Sequence, residues 1–314
     1  MTTGPARVAL AVSLMALASC ATIPQTDRDD QLGFTDLTGA FAEAYERAPP
    51  SPEGRLAVLA ESFEQELPGF YDPARFGDQA ALYQSLAASF FETYPEKRAE
   101  IGEVARRFDA MFAPAVEDFE RRVGPLPVDT PVYLVVSMGE FDGATRTLGG
   151  REYLLFGADM IASIHGGEAR AFVQHELFHV YHSGRMGECV GLYCSLWSEG
   201  LAVHAASVLN PGASDSELLL TLPEPIRPAL DANRTEAICV TLAKLDSREG
   251  SDWQAFFSNG RLGEGLPPRF GYLVGAWVAE DLGRTRTLRE LADLGGEDLR
   301  SAIETSLRSM ADCS

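Results

Sequence analysis

FVQHELFHVYHSGRMGECVGLYCSLWSEGLAVHAA, residues 172–206, decides how this chain is read. It contains four of the five histidines and two of the five cysteines. Gly166-Gly167 precede a helical pattern from 168 to about 182. After Gly184 a short cysteine-bearing loop leads to a second helical pattern from about 195 to 209. In the first, His175-Glu176-Leu177-Phe178-His179 puts two imidazoles one turn apart on the same face, where both can reach one ion. Glu176 is rotated about 100° from His175, so its carboxylate can face water at the ion without being a ligand. Zinc suits this arrangement, because it binds neutral imidazole and acidifies water. The five-residue pattern also recurs by chance, and two core histidines bonded to backbone are its bland alternative.

The third ligand separates the two readings. His182 lies seven residues after His175, about 10 Å along the axis, too far to join the pair around one ion; it reads as a supporting or surface residue. A metzincin would carry glycine where His182 stands and histidine where Arg185 stands, which excludes that class. The better candidate is Glu199, twenty residues after His179, in Trp197-Ser198-Glu199-Gly200-Leu201-Ala202. A carboxylate on a second helix packed antiparallel to the first completes a His₂Glu site with one position open. A carboxylate favoured by a helix N-terminus is the alternative for Glu199.

H-E-x-x-H followed by W-x-E-G-x-A resembles the gluzincin metallopeptidases, the clan of thermolysin and the zinc aminopeptidases. The layout over residues 132–208 is most similar to the predicted zinc-dependent proteases. The resemblance implies Zn²⁺ held by His175, His179 and Glu199, Glu176 as general base, and a peptide or protein substrate whose peptide bond is hydrolysed by metal-activated water. It implies that strand 152–156 (EYLLF) is the edge strand that pairs with substrate. Gluzincins use a Tyr or His further along to stabilise the oxyanion; Tyr272, in Arg269-Phe-Gly-Tyr-Leu-Val-Gly275, is the candidate and His204 its rival. The alternative function is a non-catalytic zinc-binding envelope lipoprotein with a binding or assembly role; the intact Glu176 weighs against it.

Composition narrows the setting. A formal charge of −20 excludes nucleic acid as a partner, since a phosphate backbone needs a basic surface. Residues 8–18 (VALAVSLMALA) form an apolar run too short to span a bilayer, ending in Leu17-Ala18-Ser19-Cys20. That ending resembles the lipobox of bacterial lipoproteins, in which the cysteine, here Cys20, is acylated; ordinary secretory cleavage is the alternative. The resemblance implies an exported, periplasm-facing lipoprotein held by an N-terminal lipid anchor, and Ala21 implies the outer membrane. The remaining cysteines, Cys189, Cys194, Cys239 and Cys313, are even in number, as an oxidising compartment favours. Pairs Cys189–Cys194 and Cys239–Cys313 are the simplest connectivity, with free thiols, or Cys194 as a ligand, as alternatives.

Outward from the motif, residues 1–19 read as signal peptide and 20–33 as a polar tether. Residues 34–314 read as a single domain, with a helical part (34–123) and a core with C-terminal helices (124–314). In the helical part, 55–67, 80–91 and 101–122 have helical periodicity, with Pro95 separating the last two and Pro114 expected to kink or split the last. Residues 131–137 and 152–156 read as strands, with glycines at 139, 143, 149 and 150 between them, and His165 as a loop residue. The fold expected is α+β and mostly helical: a small sheet on the motif-bearing helix pair, preceded by a helical part.

Overall fold

Residues 31–165, 169–263 and 265–313 are described by the structure, a computed structural model. The signal-like segment, Cys20 and most of the tether lie outside the described residues. Four strands, β1 (Thr35–Asp36), β2 (Val132–Val135), β3 (Gly143–Leu148) and β4 (Arg151–Gly157), form one sheet in the order β1-β2-β4-β3. β1, β2 and β4 run parallel and β3 antiparallel to β4. Gly149 and Gly150, with φ of 56° and 84°, make the two-residue turn joining β3 to β4; that turn needs positive φ at both positions, which glycine supplies without steric cost.

The sheet corrects one expectation. Strand 152–156 lies within β4, between β2 and β3, so it is an interior strand, and the edge next to the motif helix is β3. β3 escaped the sequence reading because GATRTL has little apolar alternation and opens on glycine. Interior placement agrees with burial of Tyr153, Leu154, Leu155 and Phe156 in succession.

The helical part corrects another. α1 (Thr38–Arg47) and α2 (Pro52–Phe63) are followed by α3 (Ala80–Arg122), one continuous helix of 43 residues that contains both Pro95 and Pro114. Each interior proline costs about 3 kcal/mol. Against this, α3 buries a stripe that stays in register across Pro95, with Phe90, Phe91 and Tyr94 before it and Ile101, Val104 and Phe108 after it. A fully buried large apolar side chain contributes about 1.5–3 kcal/mol, so the stripe outweighs the two prolines. It packs onto the sheet through Phe108 and Phe112, whose rings lie 5.1 and 6.3 Å from that of Phe156.

The remaining helices are α4 (Ala158–His165), α5 (Arg170–Ser183), α6 (Leu192–Leu209), α7 (Ile226–Ala232), α8 (Arg234–Lys244), α9 (Gly250–Phe257), α10 (Gly271–Gly283), α11 (Leu288–Ala292) and α12 (Gly296–Met310). α6 is apolar nearly all round, as a helix packed on several sides must be. α10 crosses it at Gly200 and Gly275. A Cβ built on Gly200 would lie 2.2 Å from the Gly275 carbonyl carbon, and one on Gly275 would lie 2.3 Å from the Leu196 oxygen. Only glycine at both positions lets the backbones touch. The fold is therefore mostly helical α+β with a small four-stranded sheet.

Both disulfides form in the simplest pairing, Cys189–Cys194 and Cys239–Cys313. The first joins the α5–α6 loop to the first turn of α6; the second ties α8 to the tail beyond α12. Two disulfides suit an oxidising, exported environment. No described helix is long and apolar enough to cross a membrane. Because the second bridge closes a loop spanning 74 residues of sequence, replacing Cys239 and Cys313 together by Ser should lower unfolding stability by about 4 kcal/mol in the chain-entropy model. Denaturant unfolding of the two proteins checks this; equal midpoints would contradict it.

Candidate metal centre

α5 and α6 run antiparallel, joined at one end by the bridged loop and fixed at the other by Gln174. This buried amide donates to the Ala115 carbonyl on α3 at 3.0 Å and accepts from Asn210 Nδ2, just past α6, at 2.7 Å. Between these two ends His175, His179 and Glu199 meet. The His175 and His179 Nε2 atoms are 3.1 Å apart, and Glu199 Oε2 lies 3.6 and 3.4 Å from them. Three ligand atoms of a tetrahedral ion with bonds of 2.0–2.1 Å lie ~3.3–3.4 Å from one another. The triangle matches that spacing, and two imidazoles with one carboxylate are a donor set that zinc accepts. It is the cluster of three or more such groups that could hold a metal ion among the described residues. Ser198 Oγ, 3.4 Å from His179 Nδ1, stands behind the second imidazole.

The charges are set by proximity in a buried place. Burial works against ionised Glu199, but the two imidazoles outweigh it and hold the carboxyl far below its ordinary range. Burial likewise opposes a charged His179, yet Glu199 and Glu176 raise its pKa to about 9. His175 is lowered, first by burial. Glu176 points into the same cavity, and its burial lifts the carboxyl to about 7, against the attraction of His179 and aided by the charges of Asp142 and Glu199. Gly143, the first residue of β3, makes room for it. A Cβ there would lie 2.8 Å from the Glu176 carboxyl carbon.

The cavity holds about 370 Å³ and is lined by these four residues with Asp142, Gly143, Thr145, Leu219, Arg269 and Tyr272, among others. The Tyr272 ring lies 6.4 Å from that of His175 at 22°, and the Arg269 guanidinium carbon sits 4.5 Å from the Tyr272 ring centre. Burial, reinforced by Glu199, pushes the Tyr272 hydroxyl well above its ordinary range, so it keeps its proton. A second hollow, of about 360 Å³, lies on the other side of His179 and Thr145, which line both, and extends along Arg151, Glu152 and Tyr153. Thr145, on β3, and His179 are common to the two linings.

The other histidines divide clearly. His204 lines a separate hollow with Ser207, Trp277 and Glu280, so Tyr272 rather than its rival shares the cavity. His182 is buried, not at the surface; its ring packs against Phe178 at 5.6 Å, and Nε2 has no hydrogen-bond partner among the described residues. His165 is the last residue of α4 rather than a loop residue. It is buried, stacks on Phe172 at 4.5 Å and places Nε2 3.0 Å from Asp142 Oδ2. Asp142, Thr145 and Arg269 were not singled out by sequence reasoning. Arg269 stood in the quoted Tyr272 motif, but nothing in a lone arginine separates a cavity residue from a surface one.

No family model matches this chain, and neither the curated proteins nor the solved structures contain a match. The site therefore stands on its own geometry. An ion must displace the proton on His179, so metal affinity should rise with pH and level off above about 9. Between pH 6 and 8 the gain should be on the order of 100-fold, one proton per ion. Competition with a chelating dye across that range measures it. Affinity that is flat with pH would contradict the assignment.

Proposed function

We propose that this chain is a zinc-dependent peptidase. The observation that supports it most is the His175–His179–Glu199 triangle with a fourth, non-ligating carboxyl, Glu176, in the same cavity. A scaffold that only held zinc would have no need of a further, non-ligating carboxyl beside it. When bound, the ion supplies Lewis-acid chemistry, acidifying water and polarising a carbonyl.

The chain's own groups account for the rest. Glu176 takes a proton as the water oxygen bonds to the carbonyl carbon. It passes that proton to the nitrogen as the C–N bond breaks, leaving an acid and an amine. Tyr272, held in its protonated form, donates its O–H to the oxygen on which negative charge develops. β3 is the outermost strand, and an extended peptide can add to it by main-chain hydrogen bonds, running past His179. This gives β3 the role first expected of residues 152–156. We place the protein outside the cytoplasm as a lipoprotein acylated at Cys20 in the outer membrane, on the strength of the lipobox resemblance and the two disulfides.

Purified protein should contain one zinc per chain and hydrolyse some member of a broad peptide library in a chelator-sensitive manner. Glu176→Gln should keep the metal and lose at least about 10³-fold in turnover, and Tyr272→Phe should lose about 10²-fold in kcat with the metal retained. Zinc-loaded protein that cleaves nothing in the library would overturn the peptidase reading in favour of a binding or assembly role.

A further inference from the structure

Arg269 is the cation of the metal-site cavity that the proposed chemistry leaves without a task. The chain has 46 acidic residues against 26 basic ones, and many of its arginines pair with a carboxylate. Arg75 pairs with Glu140, Arg185 with Asp293, and Arg300 with Asp246 and Glu304. Arg269 is partly buried, and among the described residues it forms no ion pair; its guanidinium rests instead on the face of Tyr272.

Its backbone is also held in an unfavourable form. Arg269 has φ of 64°, the left-handed region, which is unfavourable for a residue with a Cβ. The conformation is held on both sides: Arg269 N–H donates to the Ala255 carbonyl and Tyr272 N–H to the Arg269 carbonyl, each at 3.1 Å. Such strain concentrates where a side chain must be aimed. Leu219, at the same φ, lines the same cavity. Leu219, Leu222 and Ile164 also line the cavity, and the start of α10, two residues on, adds the positive end of a helix dipole.

We propose that Arg269 recognises a carboxylate on the bound peptide, either its C-terminal group or an Asp or Glu side chain, and so sets the substrate class as acidic at this position. A planar guanidinium pairs with a carboxylate through two parallel hydrogen bonds, the geometry that favours arginine over lysine. Asp142, Glu176 and Glu199 line the same cavity, so Arg269 offsets part of the negative charge that an anion would meet there. The inference takes from the peptidase reading only that a peptide occupies the cavity.

Binding tests it without requiring turnover. In the Glu176→Gln background, as purified and after zinc loading, calorimetry compares two pairs of probes. One pair is acetyl-Ala-Leu-Ala with a free or an amidated C-terminus; the other is amidated acetyl-Ala-Glu-Ala against acetyl-Ala-Gln-Ala. At least one carboxylate probe should bind about tenfold or more tightly than its neutral twin, as a charge-assisted pair affords, and the pair that shows it identifies the source. Arg269→Gly removes the guanidinium while relieving the backbone, so it should preserve or raise the melting temperature and bring the ratio to about one; Arg269→Lys should keep part of it. A ratio near one in the parent, no binding of any probe, or a ratio that survives Arg269→Gly would overturn the proposal. A tenfold ratio in a protein that cleaves no peptide would leave it standing while the peptidase reading fell.

Discussion

The contact between Gly200 and Gly275 is the constraint on which the candidate centre depends. It brings α6 and α10 together backbone to backbone, closer than any Cβ allows. Glu199 precedes one of these glycines, and Tyr272 lies three residues before the other. The same contact therefore sets Glu199 and the protonated Tyr272 hydroxyl on a common cavity. On the far side of α6, Gln174 clamps the helix pair between α3 and Asn210. The His-bearing helix is thus fixed to the Glu-bearing helix at both ends, and a triangle of side chains with separations of 3.1–3.6 Å follows.

That triangle is costly unless something neutralises it. Buried imidazoles and a buried carboxylate carry desolvation penalties of several kcal/mol per charge, and mutual pairing recovers only part of them. An ion with the right donor preference makes the arrangement favourable, which is the physical reason to read it as a metal centre rather than a structural ion pair. Glu176 differs from Glu199 by environment alone. Glu199 faces two imidazoles and stays ionised, whereas burial, aided by the charges of Asp142 and Glu199, disfavours the charge of Glu176. Two carboxyls in one cavity are thereby pushed apart in pKa, the pattern on which the proposed division between holding the ion and moving a proton rests.

The His175–His179–Glu199 cluster, which could hold a metal ion, was legible in the sequence because helical spacing and the W-S-E-G segment are local signals, and the disulfide pairing followed from a count of four cysteines and simplicity. What escaped was non-local. β3 lacks apolar alternation, and its nearest local signal is the Gly149-Gly150 pair, which forms the hairpin turn to β4. Pro95 and Pro114 suggested breaks in α3 because a proline's local cost is visible in sequence, while the aromatic stripe that outweighs it acts through the sheet and α1. The burial of the His165 and His182 rings, against Phe172 and Phe178, is not legible locally, because nothing in the residues beside them shows what packs over them. Arg269 carried no pattern at all: its unusual φ and its place in the cavity arise only from the chain's return at α10.

The central claim is that His175, His179 and Glu199 bind one zinc together. X-ray absorption at the zinc edge of the protein, loaded with one equivalent, measures this most directly. The account predicts a first shell of light atoms at about 2.0–2.1 Å with the multiple-scattering signature of two imidazoles, reduced to one imidazole in His179→Ala and unchanged in imidazole count in Glu199→Ala. A shell containing sulfur, or a spectrum unmoved by His179→Ala, would contradict it.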